Sequence, residues 1–180
     1  MITDQEREKA LGLLARSRQT LLDAVEGITE SQASWKPAAD RWSVLEYVEH
    51  LAISDDGLIA LIKRSLAMPA RPESEDQRRA REAKIRDTPV PRGANHAPEM
   101  LRPNQRFASL SEAVAAFLAA RERTILYARS TEDDLRSHFS EHSVLGPLDG
   151  YQWLVGNARH AETHAGHIRE LRASPDFPRA

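Results

Sequence analysis

Residues 69–108 hold six of the ten prolines of this 180-residue chain, at positions 69, 72, 89, 91, 98 and 103. On each side of this stretch lie two long segments with helical apolar spacing and no strand-like alternation of useful length. A crossover of this length can join two helices that run parallel, where a short loop cannot. The pattern therefore predicts an all-α chain, a four-helix bundle whose second and third helices are linked by the 69–108 crossover. One domain over 1–180 is expected.

The helices can be placed by their faces and caps. In segment 4–28, Leu11, Leu14, Leu21, Val25 and Ile28 follow steps of three and four, with Arg18 breaking the stripe. Gly27, Thr29, Ser31 and Trp35-Lys36-Pro37 end it. Ser43 and Glu46 form a capping box that opens a second helix, to about Met68. Within the crossover, Glu73 to Ile85 is polar and helix-prone, an exposed helix with little to bury. Ser109 and Glu112 would open a third helix over 109–129, with Val114, Phe117, Leu118, Ile125 and Leu126 as its apolar face. Thr131 to Asp134 would cap a short helical turn ending near His138, and Gly146-Pro147 breaks the chain. Asp149 and Gln152 then open a fourth helix, to about Arg172.

Composition narrows the chemistry. Cysteine is absent, which excludes disulfides, Cys-ligated zinc, iron–sulfur clusters and a protein thiol nucleophile. The net charge of −2 does not point to nucleic acid. No apolar run approaches a membrane span, and MITDQEREKALGLL lacks the features of a signal peptide. A cytoplasmic protein is expected.

Histidine is the residue that stands out. Three lie in the fourth helix, at 160, 164 and 167. At 100° per residue they fall at about 0°, 40° and −20°, on one face shared with Trp153 and Leu171. Side chains at i and i+4 are close enough for two imidazoles to meet on one metal. One helix cannot enclose an ion, so another element must contribute. His50 is the natural outside candidate, although geometry alone does not choose it over Glu46, one turn earlier. His138 and His142 form a rival i, i+4 pair in a polar stretch and read as a solvated loop. His96, among Gly93, Asn95 and Pro98, reads as a surface residue.

Two motifs carry a resemblance. Trp42-Ser43-Val44-Leu45-Glu46-Tyr47-Val48-Glu49-His50-Leu51 resembles the first metal motif of the DinB-like (YfiT-like) four-helix bundles. Leu145-Gly-Pro-Leu-Asp-Gly-Tyr-Gln-Trp153, followed by His160-x3-His164-x2-His167-Ile168, resembles the second. The resemblance runs over nearly the whole chain in order. It implies up-down-down-up topology and a divalent metal held by His50, His160 and His164. Many members have Gln where this chain has His167. That implies a pocket residue or one behind the ligands, and leaves open whether His167 replaces a ligand. Homodimers are common in the family. Some members are thiol S-transferases or thiol-dependent isomerases that use a low-molecular-weight thiol, and many have no assigned activity.

Three neutral imidazoles would leave the ion its full charge and an open position for water or a substrate thiolate. The expected function is thus a metal-dependent hydrolase or S-transferase acting with a small thiol on a small electrophile. Zinc and nickel lead among metals that suit imidazole. Glu46 is the residue expected to orient a ligand imidazole, and Trp42, Tyr47 and Trp153 are expected to line the pocket or the core. The crossover arginines (Arg71, Arg78, Arg79 and Arg81) form a solvated face or a lid over an anionic substrate. The competing reading is a non-catalytic metal- or ligand-binding bundle, a stress-related scaffold or sensor. A closed coordination sphere with Glu46 as fourth ligand would favour it.

Overall fold

In the computed structural model, which describes residues 1–89 and 97–179, six helices and one hairpin follow the chain. They are α1 (Asp4–Val25), α2 (Glu30–Ser34), α3 (Val44–Leu66), α4 (Glu75–Asp87), α5 (Leu110–Ser130), β1 (Phe139–His142), β2 (Gly146–Asp149) and α6 (Gly150–Arg172). A 3₁₀ turn, Glu99–Leu101, lies late in the crossover. Among the described residues no helix is long and apolar enough to cross a membrane.

Caps start these helices where the chain says they should. Ser43 accepts the Glu46 amide and Glu46 takes the Ser43 amide. Asp149 and Gln152 do the same for α6. At α5 only half of the expected box forms. Ser109 accepts the Glu112 amide, but Glu112 reaches the amide of Ala108 instead. Thr29 caps α2, a short helix that the sequence reading does not anticipate.

The four long helices, α1, α3, α5 and α6, form the bundle. Neighbouring pairs are α1–α6, α3–α5, α3–α6 and α1–α5, so α1 lies opposite α3 and α5 opposite α6. Cross-contacts give the directions. Arg7, early in α1, donates to the carbonyls of Ala128 and Arg129 at the end of α5, so these two run antiparallel. Arg172, at the end of α6, donates to Ala24 at the end of α1, so these run parallel. Val44 and Leu51 of α3 pack with Leu110 and Phe117 of α5, first half on first half, so α3 and α5 are parallel. The order is up-down-down-up, and the crossover must climb the length of the bundle, about 34 Å for a 23-residue helix.

Two apolar clusters fill the bundle. One holds Leu21, Val48, Leu51, Phe117 and Ile168; the other holds Leu14, Leu58, Ile62, Leu135 and Leu154. Between them lies a fully buried polar layer built on Arg121. Here the expected faces need correction. The inner face of α5 is Leu110, Ala113, Phe117, Ala120, Arg121, Thr124, Ile125 and Ala128, while Leu126 is exposed. Alanines weigh little in a hydrophobic pattern, and a buried arginine reads as surface. On α1, Ser17 continues the stripe from Leu14 to Leu21, and Arg18 pairs with Glu122 outside.

The hairpin is also a correction. Residues 131–137 turn without forming a helix, and residues 139–149 carry β1 and β2, paired antiparallel from Phe139–Asp149 to His142–Gly146. Four-residue strands are too short to show alternation in a sequence. Gly146 turns the hairpin with φ +79°, a conformation that favours glycine. Gly150 admits close packing: a Cβ there would stand 2.8 Å from Leu135 Cδ2.

Within the crossover, α4 forms as the sequence suggests, but it does bury one residue, Ile85. Arg81 pairs with Glu73 and donates to the Pro147 carbonyl, and Lys84 donates to Leu145. Glu82 joins Glu6 and Asp149 around Arg136. These bonds strap α4 to the hairpin and to Arg136, which also pairs with the N-cap of α6, Asp149.

Candidate metal centre

His50 on α3 and His160 and His164 on α6 meet inside the bundle. The Nε2 atoms of His50 and His160 are 3.0 Å apart, and those of His160 and His164 are 2.9 Å apart. One ligating nitrogen from each ring lies within 4.8 Å of the others. Among the described residues this is the one group of three or more donors with metal-ligand spacing. His50 and His164 are buried, while His160 is half-buried and marks the side nearest to solvent.

The outer nitrogens show how the rings are held. His50 Nδ1 is 2.7 Å from the Leu101 carbonyl oxygen. A carbonyl can only accept, so Nδ1 carries the proton and Nε2 of the neutral ring presents its lone pair to the cluster. His164 Nδ1 faces His167 Nδ1 at 3.3 Å, and one of these two nitrogens carries the proton they share. With His164 ligating through Nε2, His167 is the acceptor behind it.

Aromatic rings wall the cluster. Trp42 lies 4.8 Å from His50 and 6.0 Å from His164, and Tyr47 lies 5.2 Å from His164, centroid to centroid. A cavity of about 190 Å³ adjoins this wall, lined by Trp42, Tyr47, His167, Leu171 and Arg41 among others. The Nε of Arg41 is buried and has no hydrogen-bond partner.

Burial dominates the electrostatics. It lowers the pKa of His50 against the opposing pull of the Leu101 hydrogen bond. His160 is held well below the ordinary histidine value, first by burial and then by the charge of His50, His142, Arg121 and His167. His164 is held well below it too, by burial and then by His160, His50 and His167. The rings are thus kept neutral, the form that binds metal. The donor set fits an ion. With each ring turning a lone pair inward, a tetrahedral zinc with nitrogens at about 2.0–2.1 Å would separate them by roughly 3.3 Å, close to the 3.0 and 2.9 Å between these Nε2 atoms.

A family model describing the DinB superfamily matches residues 13–168. The chain belongs to the DinB superfamily. No curated protein sequence matches it. Two solved structures share its fold. YfiT from Bacillus subtilis is described as a probable metal-dependent hydrolase with an unusual four-helix bundle topology. It is 21% identical, with a TM-score of 0.63, over 96% of this chain and 89% of its own. TT2238, described as a four-helix bundle protein, is 21% identical with a TM-score of 0.54, over 93% of this chain and 98% of its own.

Not every residue singled out in this DinB chain reaches the cluster. Glu46 does not orient His50. Its Oε2 accepts the Ser43 amide and its Oε1 pairs with Lys36 at 2.9 Å, so capping occupies the carboxylate. Trp153, two turns before His160, belongs to the hairpin: its indole N–H donates to Ser140 and its ring lies 5.2 Å from His142. The rival pair is engaged separately. His138 Nδ1 donates to the Met68 carbonyl, and His142 Nδ1 accepts the Val144 and Leu145 amides. His96 lies outside the described residues. Among the crossover arginines, Arg79 pairs with Glu75 at the surface, Arg71 packs over the Phe139 ring and Arg81 is fastened to the hairpin.

The sequence reading also misses residues around the cluster. The Leu101 carbonyl orients His50, and no side-chain signal announces a backbone acceptor 51 residues away. Glu49 and Arg121 are buried charges, and buried charges look like surface until their partners are known.

Proposed function

We propose that this DinB chain is a metal-dependent hydrolase or S-transferase that acts with a small thiol on a small electrophile. The reading is carried by one observation. Three neutral imidazoles converge through Nε2, and among the described residues no fourth side chain completes the set. Structural zinc sites are closed by four protein ligands, whereas three ligands with an open position is the catalytic pattern. A bound divalent ion would supply Lewis acidity and lower the pKa of water or of a thiol.

The chain's own residues do the rest. His50, His160 and His164 would hold the ion without adding negative charge. The Leu101 carbonyl and His167 fix two of the rings, and Trp42 and Tyr47 keep water from the buried side. The cavity beyond them, with Arg41 and Glu170 both at its wall, is a place for a small polar molecule. The description of YfiT as a probable metal-dependent hydrolase agrees with this reading. The engagement of Glu46 at the helix cap removes the fourth ligand that would have favoured a non-catalytic bundle. Zinc or nickel as the metal, and a homodimer as the assembly, complete the proposal; light scattering tests the latter.

Metal content per chain, by elemental mass spectrometry after tag-free and chelator-free purification, tests the site. About one equivalent is expected in the wild type and almost none in His164→Ala. The loaded protein is then assayed for transfer from a small thiol to an electrophile and for hydrolysis. Absence of metal even after zinc or nickel is added overturns the enzyme reading. A loaded protein with no turnover in either assay returns weight to a binding bundle.

A further inference from the structure

Glu49 precedes His50 on α3 and is 1% exposed. One oxygen, Oε1, accepts the amides of Asn104 at 2.8 Å and Arg106 at 3.2 Å. Between them Gln105 sits at φ +65°, the one non-glycine residue with positive φ among those described. Such a left-handed residue costs on the order of 1–3 kcal/mol. Here it lets the backbone curl, so that two amides separated by one residue point at a single carboxylate oxygen. This is an anion nest in which the anion is the protein's own side chain.

The same short arm carries Leu101. The 3₁₀ turn that it ends uses the Pro98 and Glu99 carbonyls, which accept the amides of Leu101 and Arg102. The Leu101 carbonyl is used outside the turn, on His50 Nδ1. Consecutive α3 residues thus grip one arm at two points: Glu49 through the 104–106 nest and His50 through Leu101. A loop anchored only for stability could use an apolar side chain, without the cost of burying a carboxylate.

We propose that Glu49 is a positioning residue of the metal centre. It docks the 101–106 arm of the crossover so that the Leu101 carbonyl holds His50 with Nε2 turned inward, and metal binding is thereby coupled to docking of the arm. The inference rests on the metal-binding reading above. Coupling is reciprocal: a docked arm strengthens metal binding, and bound metal strengthens docking by the same factor. Loss of groups that orient a ligand histidine typically costs roughly 10–100-fold in metal affinity.

The test uses zinc and the full chain. Affinity is measured by competition with a chromophoric chelator for wild type, Glu49→Gln and Glu49→Ala, with Leu14→Ala as a core variant distant from the arm. Hydrogen exchange at residues 101–106 is followed with and without zinc. Glu49→Ala should bind zinc about tenfold or more weakly. Glu49→Gln, which keeps an acceptor oxygen, should fall between it and wild type. Leu14→Ala should lose stability and keep its affinity. Zinc should slow exchange at Asn104 and Arg106 in wild type, and less so in Glu49→Ala.

If wild type binds zinc but exchange in the arm does not respond, or if Glu49→Ala binds as tightly, the coupling is overturned and the metal reading survives. If wild type binds no zinc, the metal reading fails and the coupling with it. Should Glu49→Ala fail to fold, Glu49→Gln and the wild-type exchange experiment decide alone.

Discussion

Asn157 and His160 stand one turn apart on α6, yet they belong to buried polar clusters of opposite character. Around Asn157 every partner is matched. Arg121 forms a two-pronged pair with Asp55, at 3.0 and 2.7 Å, and also donates to Ser17, to the Leu14 carbonyl and to Asn157. Each of the four bundle helices contributes to this knot, and donors meet acceptors. Around His160 three ring nitrogens face one another, and the protons available cannot satisfy all of them. The first cluster is complete as protein and specifies how four helices register. The second presents three ring nitrogens that could hold an ion. In the same bundle, balance marks structure and imbalance marks a site.

Breaking the balanced cluster should have the largest effect. Arg121→Ala leaves Asp55 buried without its counter-charge and should cost about 3–5 kcal/mol in denaturant unfolding. Replacing both, as Arg121→Met with Asp55→Leu, should recover most of that loss, because burying an ion pair is itself expensive. A double variant no better than the single would show that the knot stabilises beyond the pairing of its charges.

The unbalanced cluster should gain from what it lacks. Zinc at about a hundredfold excess over its dissociation constant should stabilise the wild type by about 2.7 kcal/mol, and a chelator should remove the gain. His164→Ala should show no zinc-dependent shift in thermal unfolding. An equal shift in the variant would move the ion elsewhere.

Acid separates the clusters in the metal-stripped protein. Burial lowers the folded pKa values of His50, His160 and His164 from the usual 6.5, so the unfolded chain binds more protons below that pH. The stability they provide is present above pH ~6.5. It is lost as pH falls toward the folded values, by at most about 1.4 kcal/mol per histidine and pH unit. Denaturant midpoints at pH 7.5 and 5.5 check this, and His160→Ala should flatten the slope. An unchanged slope would mean that other groups govern the acid response.

The smallest effect marks the edge of the site. Trp153→Phe removes one hydrogen bond to Ser140 and should cost about 0.5–1.5 kcal/mol, with zinc uptake unchanged. Reduced zinc content in this variant would tie the hairpin to the metal centre.

Much of this comparison could be read in advance, and the legible part has a common origin. The face shared by His160, His164 and His167, and the capping boxes at Ser43 and Asp149, are relations over three or four residues of one helix. Helical geometry enforces such relations wherever the helix forms. The 69–108 crossover likewise announces two parallel helices before any contact is known. Arg121 was not legible, because an arginine is buried only when partners on other helices arrive together. Trp153 shares the histidine meridian but is claimed by a hairpin whose strands are too short to signal themselves.

The sequence by itself determined the four long helices, their starts, the long crossover and the three-histidine face, since local spacing and steric preference settle each of these. Tertiary structure alone decided the groups that hold the histidines in place. Glu46 is spent on a helix cap and on Lys36, while the carbonyl that turns His50 inward comes from Leu101, on an arm docked by Glu49. The contacts of Leu101 and Glu49 span more than fifty residues, and a backbone acceptor has no residue type of its own. Only the path of the folded chain brings them together.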